Sequence, residues 1–352
     1  MPSAHATIVL DGSHGEGGGA LLRTALAVSA LTQQPVRIAS VRGGTNYPGL
    51  DPEDVTIIEA LAKCCAAETV GATFGSDSID FHPTVRPRNL NGTVEIRRNE
   101  MRRGANACIV LGTLAPVLAR AGAYSVLDAE GETFGNNALS YDYFAQVTVP
   151  VLRKAGLYLF PDLVSGGFGR ESRGKMSLDV EPSAIQGVVW PERGRLLSVR
   201  AVVTTAVVAP AVGLRAVAHL RRLAQNAGLD IAIEHHEIDS NTPGFFVTAW
   251  ATYERGAGGG TAMGSRGMRA EMLAQSAFEE LCAWMATSAT VDPFLADQIL
   301  LPLAFAEGES TFSVSRLTPR FLTCAWVVKQ FTPIHITIRG TENGPGTITI
   351  RR

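Results

Sequence analysis

Lysine is scarce in this chain. Of 31 cationic residues four are lysines (Lys63, Lys154, Lys175 and Lys329), and the other 27 are arginines. Arginine is the better planar clamp for phosphate, although a general bias toward Arg and Ala explains the excess equally well. A strong net charge is missing too: 33 acidic residues leave a formal charge of −2, which argues against a basic coat for nucleic acid. Paired cysteines are absent. Cys64, Cys65, Cys108, Cys282 and Cys324 are odd in number and form no CxxC, so reduced thiols in a cytoplasmic protein are expected rather than a disulfide framework or zinc site. No long apolar run occurs. The longest uncharged stretch, residues 104–119, falls short of the roughly 18–20 residues that span a bilayer and contains Pro116. Residues 1–10 carry neither a basic start nor an apolar run suited to a signal peptide. With 46% hydrophobic and 18% charged residues, disorder and fibrous repeats are excluded.

The 352 residues suit one large domain with an insert, or two to three units. Residues 7–10 read as a strand, a glycine-rich turn follows at 15–19, and 20–31 has helical periodicity. Strand 36–41, helix 51–66 with Pro52 in its first turn, and strands 70–74 and 78–81 complete a unit. The order returns at 93–97, 103–120, 123–127, 139–155, 157–160 and 175–180, and again in part at 294–306, 310–314, 319–331, 334–338 and 346–350. This predicts an α+β fold of three β-α-β-α-β-β repeats, each a four-stranded sheet with two helices. The similarity lies in element order, and an ordinary α+β chain without a true repeat is the competing reading. Residues 196–204, 208–228, 229–236, 245–254 and 268–286 read as strand, helix, strand, strand, helix. The expected division is therefore a three-repeat domain, 1–184 and 286–352, with a smaller α+β insert at 185–285. Inside the insert, 256–260 reads as a loop, mobile or close to a ligand.

Asp11-Gly12-Ser13-His14-Gly15-Glu16-Gly17-Gly18-Gly19 stands between a strand and a helix, where backbone N–H groups can approach an anion. It is neither a Walker A loop nor a dinucleotide fingerprint, and a plain tight turn explains it as well. Glu16 is a candidate for a metal ion or a ribose hydroxyl, and Arg23 reaches the same space. Arg86, Arg88, Arg97, Arg98, Arg102 and Arg103 face only Glu95 and Glu100 within eighteen residues. That run is either a phosphate-facing patch or a solvated surface. His235-His236-Glu237 lacks a second pair at metal spacing and reads as a strand end.

From the glycine-rich turn through Leu22-Arg23-Thr24-Ala25-Leu26, the sequence resembles the RNA 3′-terminal phosphate cyclase family. Further matches are Val41-Arg42-Gly43-Gly44 with Pro48-Gly49-Leu50, Tyr141-Asp142-Tyr143-Phe144 through Leu152, and Gly264-Ser265-Arg266-Gly267 with Ala270-Glu271. Ala296-Asp297-Gln298 through Pro302, and Phe321-Leu322-Thr323 with Val327-Val328 and Phe331, continue them. The resemblance covers nearly the whole chain in order and implies the repeat-plus-insert fold. It also implies ATP as cofactor, a divalent metal (Mg or Mn), an RNA 3′ end as partner, and conversion of the 3′-phosphate to a 2′,3′-cyclic phosphate by nucleotidyl transfer. Glu16, Arg23, Arg42, Asp297 and Gln298 are implied to bind nucleotide or phosphate, Glu16 also the metal.

In that family a histidine attacks the α-phosphate of ATP, and here Arg320 stands at its position. Arginine stays protonated and offers no lone pair, so it cannot act as that nucleophile, though it binds phosphate well. Thr45 replaces a second family arginine, and Glu53-Asp54 fall where the family has a polar pair and are expected to repel phosphate. Three readings stay open at this level. One is a cyclase in which His14 or His335 supplies the imidazole. Another is a non-catalytic relative that binds an RNA end or nucleotide. The last is a small-molecule enzyme like the enolpyruvyl transferases, whose family resembles Met101-Arg102-Arg103 with Leu111-Gly112-Thr113-Leu114-Ala115-Pro116. The oligomeric state is not legible.

Overall fold

The computed structural model describes residues 6–331 and 333–351; the first half of the segment read for a signal peptide, residues 1–5, lies outside it. The first unit runs β1 (Ile8–Asp11), α1 (Gly19–Thr32), β2 (Val36–Ala39), α2 (Pro52–Cys65), β3 (Glu68–Val70) and β4 (Ile79–His82), with sheet order β1-β2-β4-β3. The second repeats it: β5 (Asn91–Val94), α3 (Ala107–Leu118), β6 (Ser125–Gly131), a second helix, then β7 (Leu159–Ser165) and β8 (Gly174–Val180), ordered β5-β6-β8-β7. That second helix is built of α4 (Tyr141–Tyr143), a π turn (Phe144–Thr148) and α5 (Val149–Lys154), with Pro150 in the opening turn of α5. In both units the first two strands pair in parallel and the rest antiparallel.

Between the second and third units come β9 (Leu196–Ala206), α6 (Pro210–Asn226), β10 (Ala232–Glu237), β11 (Gly244–Tyr253), β12 (Ala257–Met263) and α7 (Ala270–Met285). Their sheet, β10-β9-β11-β12, has its own apolar core of residues such as Val203, Val247, Leu273 and Leu281. The 256–260 segment expected to be a loop begins strand β12, paired with β11. Its glycines serve close packing: a Cβ would lie 2.6 Å from Trp284 at Gly258 and 2.4 Å from the Ala277 carbonyl at Gly260.

The third unit contains α8 (Pro293–Ala304), β13 (Ser310–Val314), α9 (Pro319–Phe331), β14 (His335–Gly340) and β15 (Gly346–Arg351). Its sheet has three regular strands, β13-β15-β14. The place of the fourth is held by residues 186–190, which meet the 307–311 segment in isolated parallel bridges at Gln186 and Val189 and donate from Trp190 N to Thr311 O. The element that opens the third repeat thus precedes β9 in sequence.

Burial explains the layering. Strands β6 and β8 alternate between buried and more open residues, so the second unit's sheet keeps one face toward solvent. Helix α1 buries ten of its fourteen residues because it packs on α9, α2 and α3 at once. One core therefore runs from Leu10 to Ile350 through all three units. No helix among the described residues is long and apolar enough to cross a membrane.

Candidate phosphate and nucleotide site

A cavity of about 730 Å³ opens where the three units meet. The first unit contributes Glu16, Gly18, Gly19 and Arg23; the second contributes the turn 136–138 and Arg170; the third contributes Asp297, Gln298 and Arg320. A second cavity of about 630 Å³ continues toward the inserted unit, sharing Glu16, Asp297 and Arg320 and adding Gly259, Trp284 and Arg316.

The glycine-rich turn is shaped by its contacts. Gly15 and Gly17 have φ of +62° and +61°. A Cβ on Gly15 would sit 2.2 Å from Thr323 Oγ1, so only glycine lets the turn approach α9. Thr323 Oγ1 accepts from Glu16 N at 2.9 Å and donates to Pro319 O at 2.8 Å, fixing Glu16 over the start of α9. Thr318 caps that helix, accepting from Phe321 N at 3.0 Å. Helix α1 begins differently. Its N-cap is Gly18, which has no side chain to offer, and no acidic residue lies in its first turn. The N–H groups around Gly18, Gly19 and Ala20 line the cavity and favour an anion.

Arg320 faces Glu16 as a forked pair: Nε donates to Oε2 at 3.1 Å and Nη2 to Oε1 at 3.0 Å. Burial opposes the Arg320 charge, but the Glu16 hydrogen bonds and the Asp297 carboxyl outweigh it and hold the guanidinium above its ordinary range. Burial pushes the Asp297 carboxyl up to about 7, against the pull of Arg320 and Arg23. Thr318 Oγ1 donates to it at 3.3 Å. Arg23 and Arg103 reach the cavity without a carboxylate partner among the described residues.

Arg42 lines the cavity, yet its fork is committed elsewhere. Nε donates to Asp54 Oδ2 at 2.7 Å, and Nη2 lies 2.8 Å from Asp51 Oδ2. Gly19 makes room for it, since a Cβ there would meet Nη2 at 2.6 Å. Glu53 is likewise engaged. Arg170 Nη1 donates to it at 2.8 Å, Asn106 N at 3.1 Å, and Glu132 lies 3.5 Å from Arg170 Nε. The Glu53-Asp54 pair expected to repel phosphate is thus paired with Arg170 and Arg42, each of which also faces a second carboxylate, Glu132 and Asp51. The sequence marks 169–175 as a glycine-rich stretch rich in charge and 131–137 as a turn, but it assigns no role to Arg170, Glu132, Asn106 or the 136–138 turn, whose partners lie far away in the chain.

His14 is exposed, stacks on Trp326 with ring centroids 3.8 Å apart, and is not among the cavity's lining residues. His335 is exposed at the start of β14. No histidine among the described residues lines either cavity. The thiol that lines the first cavity is Cys324, to which the sequence assigns no role. Burial pushes its thiol up to about 11, so it stays protonated at neutral pH.

Glu16, expected to ligate a metal, has both oxygens on Arg320. Among the described residues no group of three His, Cys, Asp or Glu is placed to hold a metal ion. The described residues therefore form no all-protein metal cage.

Comparison with known proteins completes the picture. The family model for RNA 3′-terminal phosphate cyclase matches residues 14–338. An RNA 3′-terminal phosphate cyclase of Methylococcus capsulatus is 34% identical over 346 residues, covering 97% of this chain and 95% of the relative. Those of Salmonella typhimurium (33%, covering 96% and 97%) and Methanopyrus kandleri (32%, covering 98% of each) are similar throughout. A solved structure, the enolpyruvyl transferase NikO of Streptomyces tendae, matches at 14% identity and TM-score 0.26 over 49% of this chain and 33% of that one, too little to bear on the site. The match across all three units and the insert settles one point: the chain belongs to the RNA 3′-terminal phosphate cyclase family.

Proposed function

We propose that this chain is an end-binding member of the family. It takes an ATP-class nucleotide and the 3′-terminal phosphate of an RNA into the cavity between the three units, and it forms no covalent protein–nucleotide intermediate. The observation that carries this reading is Arg320, paired with Glu16 where the resemblance implies a histidine. A guanidinium has no lone pair to attack phosphorus. The Cys324 thiol in the same cavity is held protonated.

The binding chemistry is well provided. The open N-terminus of α1 supplies N–H donors, Arg23 a charge without a carboxylate partner, and Gln298 a neutral amide. Glu16 holds Arg320 in reach, and an incoming phosphate replaces the carboxylate as the guanidinium's partner. Asp297, protonated for much of its population near neutrality, adds little repulsion to an anion. The described residues form no all-protein metal cage, and no step is assigned to a metal ion. The five thiols are all free, which supports a reducing compartment such as the cytoplasm.

Isothermal titration with ATP and with a 3′-phosphorylated nucleoside tests the reading. A charged hydrogen-bond donor is worth about 1.5–3 kcal/mol, so Arg23→Ala and Arg320→Ala should each weaken binding roughly 10- to 100-fold. Wild-type affinity in both variants would overturn it.

A further inference from the structure

The arginine run at 86–103 reads in sequence as one patch. The structure divides it. Arg97 is paired with Glu59 at 2.8 Å. Arg98 is spent on backbone: it donates from Nη1 to Arg102 O (3.2 Å) and Glu171 O (3.4 Å) and from Nη2 to Ser172 O (2.9 Å). Gly104 N donates to Arg170 O at 2.8 Å beside it. Arg98 thus staples the 97–104 loop to the 169–175 loop.

The staple decides where the remaining cations go. Asn99 turns the first loop by accepting from Arg103 N at 3.0 Å, and Arg102 takes the left-handed backbone at φ +59°. Arg103 then lines the mouth of the cavity, while Arg102 projects outside it with no carboxylate partner among the described residues. On the second loop Arg173 is 61% exposed and reaches Glu130 only at 3.4 Å, with Lys175 sharing the same carboxylate at 3.9 Å. Glu100 and Glu171 are the loops' own acids, and neither forms an ion pair with these cations among the described residues. Met101, 67% exposed, adds an apolar surface between the cations. Burial and, after it, the nearby Arg173 lower the proton affinity of Arg98, while Glu130 opposes them.

We propose that the stapled loops 97–104 and 169–175 form a track for the backbone of a single-stranded RNA, holding the phosphates upstream of the 3′ end that sits in the cavity. Arg103 takes the phosphate at the cavity mouth, and Arg102 and Arg173 take those beyond it. The track makes an oligonucleotide, rather than a mononucleotide, the preferred ligand. It rests on the end-binding reading of the cavity and adds an element outside that cavity.

The test compares a short 3′-phosphorylated oligoribonucleotide, a 3′-phosphorylated nucleoside and polyglutamate on the full chain, across a salt series. Wild type should bind the oligonucleotide more tightly than the nucleoside. Arg102→Glu with Arg173→Glu should weaken the oligonucleotide at least about tenfold and reduce the slope of log affinity on log salt by about 1.4, two phosphates at about 0.7 each. Nucleoside binding should stay unchanged. The double lysine variant, Arg102→Lys with Arg173→Lys, should keep most of the affinity, which separates lost charge from a misfolded loop. Equal affinity for oligonucleotide and nucleoside in wild type, or an unchanged salt slope in the double glutamate variant, overturns the track alone. Tighter binding of polyglutamate than of the oligonucleotide overturns it in favour of an acidic protein partner. Binding of neither RNA ligand removes the end-binding reading and the track with it.

Discussion

Two guanidinium–carboxylate clusters face the same cavity. At Glu16–Arg320 both side chains are about one-third exposed, 32% and 33%. At Arg42–Asp54 the arginine is 17% exposed and the aspartate 2%, and the aspartate also closes a reciprocal cap with Asp51 at the start of α2. Each cluster joins an arginine to a carboxylate, glutamate in one and aspartate in the other, and the geometry is forked in both. Their surroundings differ, and so does the cost of separating them. A pair near solvent contributes about 0–1 kcal/mol and can open to a competing anion. Stripping one partner from a buried pair leaves a charge without a partner and costs about 3–5 kcal/mol. Arg42 is therefore scaffold first, and Arg320 is free to change partner.

The sharpest way to break this comparison is stability. Arg42→Ala should lower unfolding free energy by about 3 kcal/mol, and Arg320→Ala by no more than about 1 kcal/mol, read from urea titrations. Equal losses would erase the distinction between the two clusters.

A smaller effect comes from the turn that presents Glu16. Gly15→Ala forces a side chain into the left-handed region and against Thr323 Oγ1. It should cost about 1–3 kcal/mol and weaken nucleotide binding, because Glu16 N loses its acceptor and Arg320 its brace. A variant with wild-type stability and affinity would show that the turn does not position the pair.

The smallest is a pH effect. Asp297 is raised from 3.8 to about 7 in the folded chain, so the folded state holds a proton that the unfolded state has released. The stability tied to that proton is fully present below the ordinary carboxylate range and falls as pH rises toward about 7. Asp297→Asn should make stability fall less between about pH 4.5 and about pH 8. Asp142, also raised by burial to about 6, leaves part of the slope in place. An identical slope in wild type and variant would mean Asp297 titrates normally.

What could be read in advance follows the range of the signals. Helices and strands of the repeats rest on local periodicity and glycine turns, and their order was legible. The opening strand of the third repeat was not, because residues 186–190 form isolated bridges rather than a regular ladder. The 256–260 run looked like a loop by composition, since glycines chosen for close packing and glycines chosen for turns are identical in sequence. Within the site, Glu16, Arg23, Asp297, Gln298 and Arg320 were named beforehand and line one cavity. Their pairing was not legible: Glu16 and Arg320 are 304 residues apart. Nor was the difference between arginines. Arg42, Arg97 and Arg98 are tied to carboxylates or carbonyls, while Arg23, Arg102 and Arg103 have no carboxylate partner among the described residues, and only the folded chain separates the two sets.

The central claim is that this cavity binds without forming a covalent protein–nucleotide bond. Intact-mass spectrometry of the chain after exposure to ATP with Mg²⁺ or Mn²⁺ tests it most directly. The account predicts an unmodified mass under both metals, alongside saturable nucleotide binding in the same preparation. A protein–AMP adduct, mapped to any residue, would contradict it.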